Sequence, residues 1–415
     1  MSREAHAHSD AVEAVTARTR RGSTSGGNHN GAKDENDETS AKAPIYEGLA
    51  GVVIASTEIC EVDGERGTLS YRGYDIGELA CHATFEETVY LLWYGELPDR
   101  SQLETFSASL AAQREIDDDL WEMITRFPTT IDPMDGLRTA VSSLASCDPI
   151  EEPCREAAIE QAQQLVAKFP TLVANIYRHI HGLERAHPHP DLGHAADFLA
   201  MVTGKVPTEM EARAMDLAML LMAEHGFNAS TFSARVTAAT LSDMVSAVTS
   251  AIGTLKGPLH GGANQRAMKM MMEIGDVSNV ERYVDDALAR KQRIMGFGHR
   301  VYRQAADPRS AYLRGRLYEL CAAADDFHYY ELATAIAETV EARKGLYPNV
   351  DFYAAPVLLL AGVPLELFVT VFAISRIPGW TAHIMEQQAK NRLIRPLAAY
   401  TGPEHLTYKP MDERG

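Results

Sequence analysis

The sequence lacks the features that define several large classes of protein. Its 415 residues contain only five cysteines, an odd number without the CxxC spacing of metal and redox motifs. We therefore expect buried thiols in a reducing, cytoplasmic compartment. Positive charge is also scarce, because 39 Lys and Arg residues stand against 57 Asp and Glu residues and leave a net charge of −18. This balance argues against a nucleic acid as the main partner.

Long apolar runs and export signals are missing as well. The most apolar stretch, residues 354–374, contains two prolines and a glutamate, so it predicts two buried helix segments and no membrane partner. Arg20 and Arg21 are not followed by the apolar segment that a twin-arginine signal requires. Residues 1–43 contain no aromatic residue, leucine or isoleucine, and this composition predicts a disordered tail.

The pattern that predicts ordered structure begins at Ile45. β-Branched residues on both sides of Asp63-Gly64 predict a β-hairpin. After Tyr71 the apolar residues recur at helical spacing, for example in DIGELACHATFEETVYLLWYGEL and TEMEARAMDLAMLLMAEH. Glycine and proline separate these segments, and no repeat of fixed period is present. The sequence predicts an all-α fold with a small N-terminal β-hairpin.

Familiar catalytic motifs are absent, since the chain has no P-loop, HExxH or GxSxG sequence. One segment, RHIHGLERAHPHPDLGH, is rich in histidine and contains His179, His181, His187, His189 and His194. A zinc site needs ligands that converge on one point, whereas the prolines in this segment predict an extended surface loop. We therefore expect no metal site.

Three other histidines stand beside small residues that would let a ligand approach the backbone. His225 ends an apolar helical pattern in AEHGFNAST, His260 lies in GPLHGGAN, and His299 lies in GFGHRVY. A single histidine of this kind is more often structural than catalytic. Three of them, each next to a glycine, favour a shared site.

Charged residues also occur within apolar segments. Asp351 lies in YPNVDFYAA, where desolvation would make its carboxylate a stronger base. Arg376 in FAISRIPGW and Arg395 in NRLIRPLAAY would be costly to bury without an anionic partner. From the residues alone, an internal salt bridge and an anionic ligand explain these arginines equally well.

Six blocks taken in order, EHGFNAST, GPLHGGAN, GFGHRVYRQAADPR, PNVDFY, SRIPGWTAH and RLIRPLAAYTG, resemble the citrate synthase family, and the resemblance extends from about Ile45 to the C-terminus. As catalytic residues the resemblance implies His260, His299 and Asp351. As oxaloacetate ligands it implies His225, Arg309, Arg376 and Arg395. For the phosphates of coenzyme A it implies Arg303 and Lys344.

The reaction of this family joins the methyl carbon of acetyl-CoA to the ketone of oxaloacetate and then hydrolyses the thioester. The resemblance implies that Asp351 removes a methyl proton while His260 donates a hydrogen bond to the thioester oxygen. A helix beginning at Gly262 would keep His260 neutral. His299 would polarise the ketone of oxaloacetate. No cofactor is implied, since acetyl-CoA is a substrate.

The resemblance also implies two domains and a dimer. A large helical domain would comprise residues 44–261 and 363–415, and a small helical domain would comprise residues 262–362. Because the helical pattern starts soon after the tail, we expect no extra N-terminal domain of the kind found in NADH-inhibited hexameric members. A homodimer is therefore expected, with Arg395 reaching the neighbouring site.

Three alternatives stay open. A 2-methylcitrate synthase would use propionyl-CoA, and one methylene discriminates by only about 1–3 kcal/mol. The blocks PNVDFY and LIRPLAAYTG favour citrate. An inactive homologue that binds coenzyme A or a dicarboxylate would need the arginines but not Asp351. A purely structural helical scaffold would leave the buried arginines unexplained.

Overall fold

The structure, a computed structural model, describes residues 44–49, 51–146, 154–303 and 305–414. The predicted disordered tail lies outside the described residues. The chain divides into two units, of which one comprises residues 1–54 and 399–415 and the other comprises residues 55–398. The second unit contains every strand and α-helix of the described part of the chain. The predicted domain boundaries at 261/262 and 362/363 stay a prediction.

Three short antiparallel strands lie near the start of the second unit: β1 Cys60–Asp63, β2 Thr68–Tyr71 and β3 Tyr74–Asp75. The strand order is β1-β2-β3, with Cys60 opposite Tyr71. Asp63 Oδ1 closes the turn between β1 and β2 by accepting hydrogen bonds from the backbone N–H groups of Glu65 and Arg66, both at 2.9 Å. The predicted hairpin is confirmed, and β3 extends it to a three-stranded sheet.

Helices make up most of the remaining structure, which confirms the all-α class. The α-helices of the described residues are α1 Ile76–His82, α2 Phe85–Tyr94, α3 Arg100–Ala112, α4 Asp118–Thr125, α5 Pro133–Ser143, α6 Arg155–Ile180, α7 His194–Thr203, α8 Glu209–Met222, α9 Ala229–Ala238, α10 Met244–Leu255, α11 Ala263–Ile274, α12 Val280–Ala289, α13 Pro308–Ala324, α14 His328–Lys344, α15 Val350–Leu360 and α16 Phe368–Ala389. Short 3-10 helices occur at Glu47–Leu49, Leu144–Ser146, Val277–Asn279, Leu365–Leu367 and Met411–Glu413.

Side chains that cap helix N-termini determine where several of these helices begin. Thr84 and Thr208 each form a reciprocal capping box, at the starts of α2 and α8. Asp307 caps α13, whose first residue is a proline. Asn349 caps α15 by accepting a hydrogen bond from the backbone N–H of Asp351 at 3.1 Å. Asp307 and Asn349 therefore stand at the starts of α13 and α15, where the candidate site lies.

The long helix α16 passes through the core. The segment Leu365–Ala389 is long and apolar enough to cross a membrane, but 94% of its most apolar window is buried inside the protein. The apolar stretch 354–374 is divided between the end of α15 and the start of α16, as predicted from its prolines. Trp93 packs beside α16 and donates a hydrogen bond from Nε1 to Thr381 Oγ1 at 2.9 Å. This rigid helix carries Arg376 of the candidate site.

Candidate active site

Two of the predicted histidines share an aromatic cluster. The ring centroids of His225, at the end of α8, and His299 lie 5.1 Å apart. Tyr302 completes the cluster, with its ring 4.8 Å from that of His299 and its hydroxyl 3.2 Å from His225 Nε2. The structure therefore brings together two motifs that are more than seventy residues apart in the sequence. Tyr302 is buried and was not predicted as a site residue.

His299 is held by the backbone that follows it. Its Nδ1 accepts hydrogen bonds from the N–H groups of Val301, at 3.0 Å, and Tyr302, at 3.3 Å. Because Nδ1 accepts, the proton of the neutral ring is assigned to Nε2. Burial lowers the pKa of His299 to about 4, and the positive charge of Arg309 adds to this shift. At neutral pH His299 thus presents an uncharged N–H donor.

Glycine gives the His299 loop its path. Gly296 and Gly298 both have positive φ angles, of 81° and 74°, which residues with a side chain rarely adopt. A Cβ atom on Gly296 would lie only 2.7 Å from the Cβ of Phe352. The loop can therefore pack against α15, the helix that carries Asp351.

His260 is held by Ser230, at the start of α9. The N–H group of Ser230 donates to His260 Nε2 at 3.3 Å, and Ser230 Oγ lies 2.8 Å from the same atom. A backbone N–H can only donate, so the ring proton of His260 is assigned to Nδ1. Burial lowers the pKa of His260 to about 4, with a further contribution from Arg376. The predicted neutral form is supported, but burial and Arg376 are its causes here, whereas the sequence suggested the start of α11.

Asp351 lies in the first turn of α15. The residue as a whole is partly exposed, but its Oδ1 atom is buried and has no hydrogen-bond partner among the described residues. Burial raises the pKa of Asp351 to about 6; Arg309 opposes the shift, and Asp307 adds to it. The expectation that desolvation strengthens this base is confirmed. A buried carboxylate oxygen without a donor is free to accept a proton from a ligand.

Arg309 makes an internal ion pair. Its Nε and Nη2 atoms donate to the two carboxylate oxygens of Asp307 at 2.9 and 2.8 Å, and both side chains are buried. Asp307 Oδ2 also accepts from the N–H of Val350 at 3.0 Å, which fixes the start of α15. Nη1, 3.5 Å from the carbonyl of Leu221, and the second N–H of Nη2 make no other hydrogen bond among the described residues. The sequence-based assignment of Arg309 as an oxaloacetate ligand did not include this resident carboxylate.

Arg376 is the second buried arginine of the site. Its Nε donates to the carbonyl of Met222 at 2.6 Å, and its guanidinium carbon lies 4.9 Å from the ring centroid of Phe372. Its two terminal nitrogens make no hydrogen bond within the described part of the chain. Burial lowers the pKa of Arg376, and the carboxylate of Glu224 opposes this shift. Arg376 thus offers the N–H groups of its two terminal nitrogens to an anion.

The other three predicted cations are exposed. Arg303 lines a cavity of about 190 Å³ together with His299, Tyr302 and Asn349. Lys344 ends α14 and does not line this cavity, although Gly345 does. Arg395 follows α16 and makes no ion pair within the described residues. The structure thus brings the buried residues together but leaves Lys344 and Arg395 outside the cluster.

The histidine-rich segment does not converge on a point. Four of its histidines contact separate partners, namely His179 with the carbonyl of Phe127, His181 with Glu366, His187 with Glu115 and His189 with Asp197. The expectation of a surface loop is wrong for two members, because His179 lies in α6 and His194 is buried at the start of α7. In the described ranges no group of three or more His, Cys, Asp or Glu side chains is arranged to hold a metal ion.

Sequence reasoning missed several residues of the site. Asp307 had a readable signal, since an aspartate directly before proline is typical of a helix N-terminus. Ser230 and Tyr302 had no such signal. Ser230 contacts His260, which is 30 residues away, and Tyr302 contacts His225, which is 77 residues away. Glu224 stands next to His225, yet only the fold shows that it is fully buried.

Comparison with known proteins identifies the family of this chain. Residues 48–397 match the family described as "Citrate synthase, C-terminal domain". The citrate synthase of Haloferax volcanii is 45% identical over 376 residues, which cover 89% of this chain and 99% of that protein. A 2-methylcitrate synthase of Mycobacterium tuberculosis is 44% identical over 362 residues, which cover 87% of this chain and 91% of that protein.

Solved structures agree with these relatives. Citrate synthase from Thermotoga maritima has a TM-score of 0.81 and 38% identity, and the match covers 90% of this chain and all of that one. A citrate synthase from Thermoplasma acidophilum, solved as a ternary complex with carboxymethyl coenzyme A and oxaloacetate, has a TM-score of 0.84 and 35% identity, over 89% of this chain and all of that one.

The helical fold is the all-α fold of the solved citrate synthases. The chain belongs to the citrate synthase family, and it is an acyltransferase of the citrate synthase type. The family resemblance stated from the sequence is therefore confirmed.

Proposed function

We propose that this enzyme condenses acetyl-CoA with oxaloacetate and hydrolyses the resulting citryl-CoA to citrate and coenzyme A, the first step of the tricarboxylic acid cycle. One observation carries the proposal. Asp351 and two neutral histidines, His260 and His299, all lie within the electrostatic reach of Arg309 or Arg376. Among the described residues Asp351 Oδ1 has no hydrogen-bond donor, and each histidine is held by a backbone N–H at one ring nitrogen. Proton abstraction from a weak carbon acid requires this combination of a base and uncharged hydrogen-bond donors.

In the first step Asp351 removes a proton from the methyl group of acetyl-CoA. Its Oδ1 has no competing donor within the described chain, and its pKa, raised to about 6 by burial, leaves it ionised at neutral pH and more basic than an exposed aspartate. His260 donates from Nδ1 to the thioester oxygen as that oxygen becomes enolic. A neutral donor suits this step because its own acidity is closer to that of the enol than an imidazolium's would be.

In the second step the enolic carbon attacks the ketone of oxaloacetate. His299 donates from Nε2 to the ketone oxygen, which becomes the alkoxide of citryl-CoA. His225 lies against His299 and Tyr302 and contacts the same substrate. Arg309 and Arg376 bind the substrate carboxylates through the guanidinium nitrogens that protein groups leave free.

The charges of a single chain do not suffice for a dianion. Arg309 is paired with Asp307, and Arg376 has Glu224 as its main counter-charge. The histidines are neutral, so the substrate needs a further cation to offset its desolvation. This balance supports a homodimer in which the partner subunit's Arg395 completes the site, since Arg395 is exposed and has no ion pair among the described residues of its own chain.

The C-terminal segment supports the same assembly. Leu393 and Leu397, two residues before and after Arg395, are 63% and 88% exposed. Large apolar side chains this exposed are typical of a surface that another protein covers. A second copy of this chain is the proposed occupant, because the same segment carries Arg395.

Further assignments complete the proposal. Arg303 lines the cavity beside His299 and is proposed, with Lys344, to bind the phosphates of coenzyme A. The two proposed domains would close on oxaloacetate and keep water from the reacting groups. We propose a cytoplasmic location, and the four cysteines in the described residues are all unpaired, as a reducing compartment requires. The expectation of buried thiols is wrong for two of them, because Cys81 and Cys154 are exposed while Cys60 and Cys321 are buried.

The alternative substrate is propionyl-CoA, because a 2-methylcitrate synthase is among the relatives. The experiment that tests the proposal is a steady-state comparison of the two acyl-CoAs with oxaloacetate. We expect kcat/KM for acetyl-CoA to exceed that for propionyl-CoA by about tenfold or more, within the range that one methylene permits. The reverse ratio would identify a 2-methylcitrate synthase. Absence of turnover with both substrates would contradict the proposed function and favour an inactive homologue.

A further inference from the structure

One face of α16 contacts the chain that leaves α8. Arg376, Gly379 and His383 are spaced by three and four residues and therefore lie on the same side of the helix. Arg376 Nε donates to the carbonyl of Met222 at 2.6 Å. A Cβ atom on Gly379 would lie 2.3 Å from Glu224 Oε2, so only glycine permits this approach. His383 Nε2 lies 2.9 Å from Glu224 Oε1. The same helical stripe thus contacts both Glu224 and the substrate-binding region.

The hydrogen bonds of His383 determine its tautomer. Arg235 Nη1 lies 3.2 Å from His383 Nδ1 and donates to Glu386 Oε2 at 2.7 Å. A guanidinium has no acceptor, so His383 Nδ1 must accept. The proton of the neutral ring is therefore on Nε2, where it is donated to Glu224. Arg235 thus orients the ring of His383, and His383 holds the carboxylate of Glu224.

Glu224 is a fully buried carboxylate with an uneven set of partners. Its Oε1 accepts from His383 Nε2 and from the N–H of Gly226 at 2.5 Å. Its Oε2 is buried and has no hydrogen-bond partner in the described part of the chain. A buried carboxylate in this state is costly unless a positive charge lies close by. Arg376 provides such a charge, since it stands three residues before Gly379, which approaches Glu224 Oε2, and the carboxylate of Glu224 opposes the lowering of the pKa of Arg376 by burial.

We propose that Glu224 is a positioning residue that acts through Arg376. Held by His383 and Gly226, its carboxylate is the resident counter-charge of Arg376 and limits how strongly that guanidinium binds a substrate carboxylate. The inference rests on the proposed function, in which Arg376 binds oxaloacetate. A substrate carboxylate bound to Arg376 is repelled by the carboxylate of Glu224. Its affinity is therefore lower than it would be if Arg376 had no counter-charge.

The test is Glu224→Gln, which keeps the shape and the acceptor for His383 but removes the charge. We expect the Kd of oxaloacetate, measured by calorimetry without acetyl-CoA, to fall by about threefold or more, because Arg376 loses its counter-charge. The kcat should not rise, since the reacting groups are unchanged. Thermal stability should decrease, because Arg376 is left as an unpaired buried charge. A purely structural role for Glu224 would instead leave the affinity unchanged or weaken it.

Asp197→Asn is the matched control. Asp197 is also a buried carboxylate paired with a buried arginine, Arg114, at 3.3 Å, but it lies outside the site. We expect this variant to lose thermal stability without a change in the Kd of oxaloacetate. Such a result would separate the electrostatic effect of Glu224 from general destabilisation.

Glu224→Met provides a second variant, because it removes the same charge with a side chain of similar volume. We expect a decrease in the Kd of oxaloacetate in the same direction, and this variant decides the test if Glu224→Gln does not fold. Unchanged or weaker oxaloacetate binding in the folded variant would overturn the inference while leaving the proposed function intact. Failure of the wild-type protein to bind oxaloacetate would instead contradict the proposed function.

Discussion

The histidines and the arginines of the site are buried in the same part of the fold but are held differently. Burial keeps His260 and His299 uncharged, and each has one ring nitrogen fixed by a backbone N–H while the other makes no hydrogen bond among the described residues. Arg309 and Arg376 stay charged, and each is accompanied by a carboxylate from its own chain. The groups proposed for the chemistry thus keep an unpaired nitrogen, whereas the charges of the groups proposed to bind substrate are already compensated.

This difference indicates which groups of the proposed site a single subunit can supply. Neutral donors need only burial and one anchor, both of which local structure supplies. Buried cations need counter-charges, and each counter-charge reduces what remains for a dianionic substrate. The exposed Arg395 that we propose for the second subunit would resolve this conflict, because it need not be buried until the substrate is present.

The largest expected effect is on the groups proposed for the chemistry, namely the two histidines and Asp351. Asp351→Asn keeps the shape of the side chain but removes the base, so kcat should fall by at least ~10²-fold, the low end of a general-base contribution. The Kd of oxaloacetate should change little, because the arginines are untouched. Steady-state kinetics and calorimetry check the two expectations. A variant with near-normal turnover would remove Asp351 from the mechanism.

The next effect concerns the cation that lies outside the buried cluster. Arg395→Ala should lower kcat/KM for oxaloacetate by about tenfold or more, as expected for loss of a charged hydrogen-bond partner. Refolding this variant together with Asp351→Asn should restore activity well above that of either parent. In a mixed dimer with shared sites, one site carries both changes and the other carries neither. Mixed dimers that are confirmed by mass but remain inactive would contradict the shared site.

The pH dependence of the reaction follows from the same contrast. Burial raises the pKa of Asp351 to about 6 and lowers that of His260 and His299 to about 4. Only the carboxylate changes its charge between pH 5 and 8, and it must be ionised to act as a base. The kcat/KM should therefore fall as pH decreases through about 6, and at pH 5 it should be about tenfold below its plateau. A midpoint near 4 would show that burial does not perturb Asp351.

The fold was largely predictable because its signals are local. Helical periodicity predicted the all-α class, and Asp63-Gly64 predicted the turn between β1 and β2. These features depend on neighbouring residues, whose spacing is fixed by the chain itself. The histidine-rich segment shows the limit, because its prolines predicted a surface loop although His194 is buried against Phe85.

The site was predictable only as a set of residues. The six sequence blocks identified His260, His299 and Asp351, but their protonation states depend on contacts made by folding. Ser230 is 30 residues from His260, and Glu224 is 159 residues from His383. No local pattern connects such pairs. Asp307 was the exception, since it is two residues from Arg309 and its ion pair could have been inferred from the sequence.

The smallest expected effect concerns Asp216, a second carboxyl group that lies outside the site. It tests whether a raised pKa alone marks a functional residue. Burial raises the pKa of Asp216, in α8, to about 8, and the nearby carboxylate of Glu86 adds to the shift. A carboxyl group with a raised folded-state pKa contributes stability below its unfolded pKa of about 4, and that stability is lost as pH rises through about 8. Asp216→Asn cannot ionise, so its melting temperature should rise relative to the wild-type protein as pH increases from 5 to 9. Turnover should be unchanged, in contrast to Asp351→Asn, and the exposed Asp119→Asn should show no such pH-dependent difference. A loss of turnover in Asp216→Asn without a loss of stability would show that Asp216 contributes to the site, and the contrast with Asp351 would then fail.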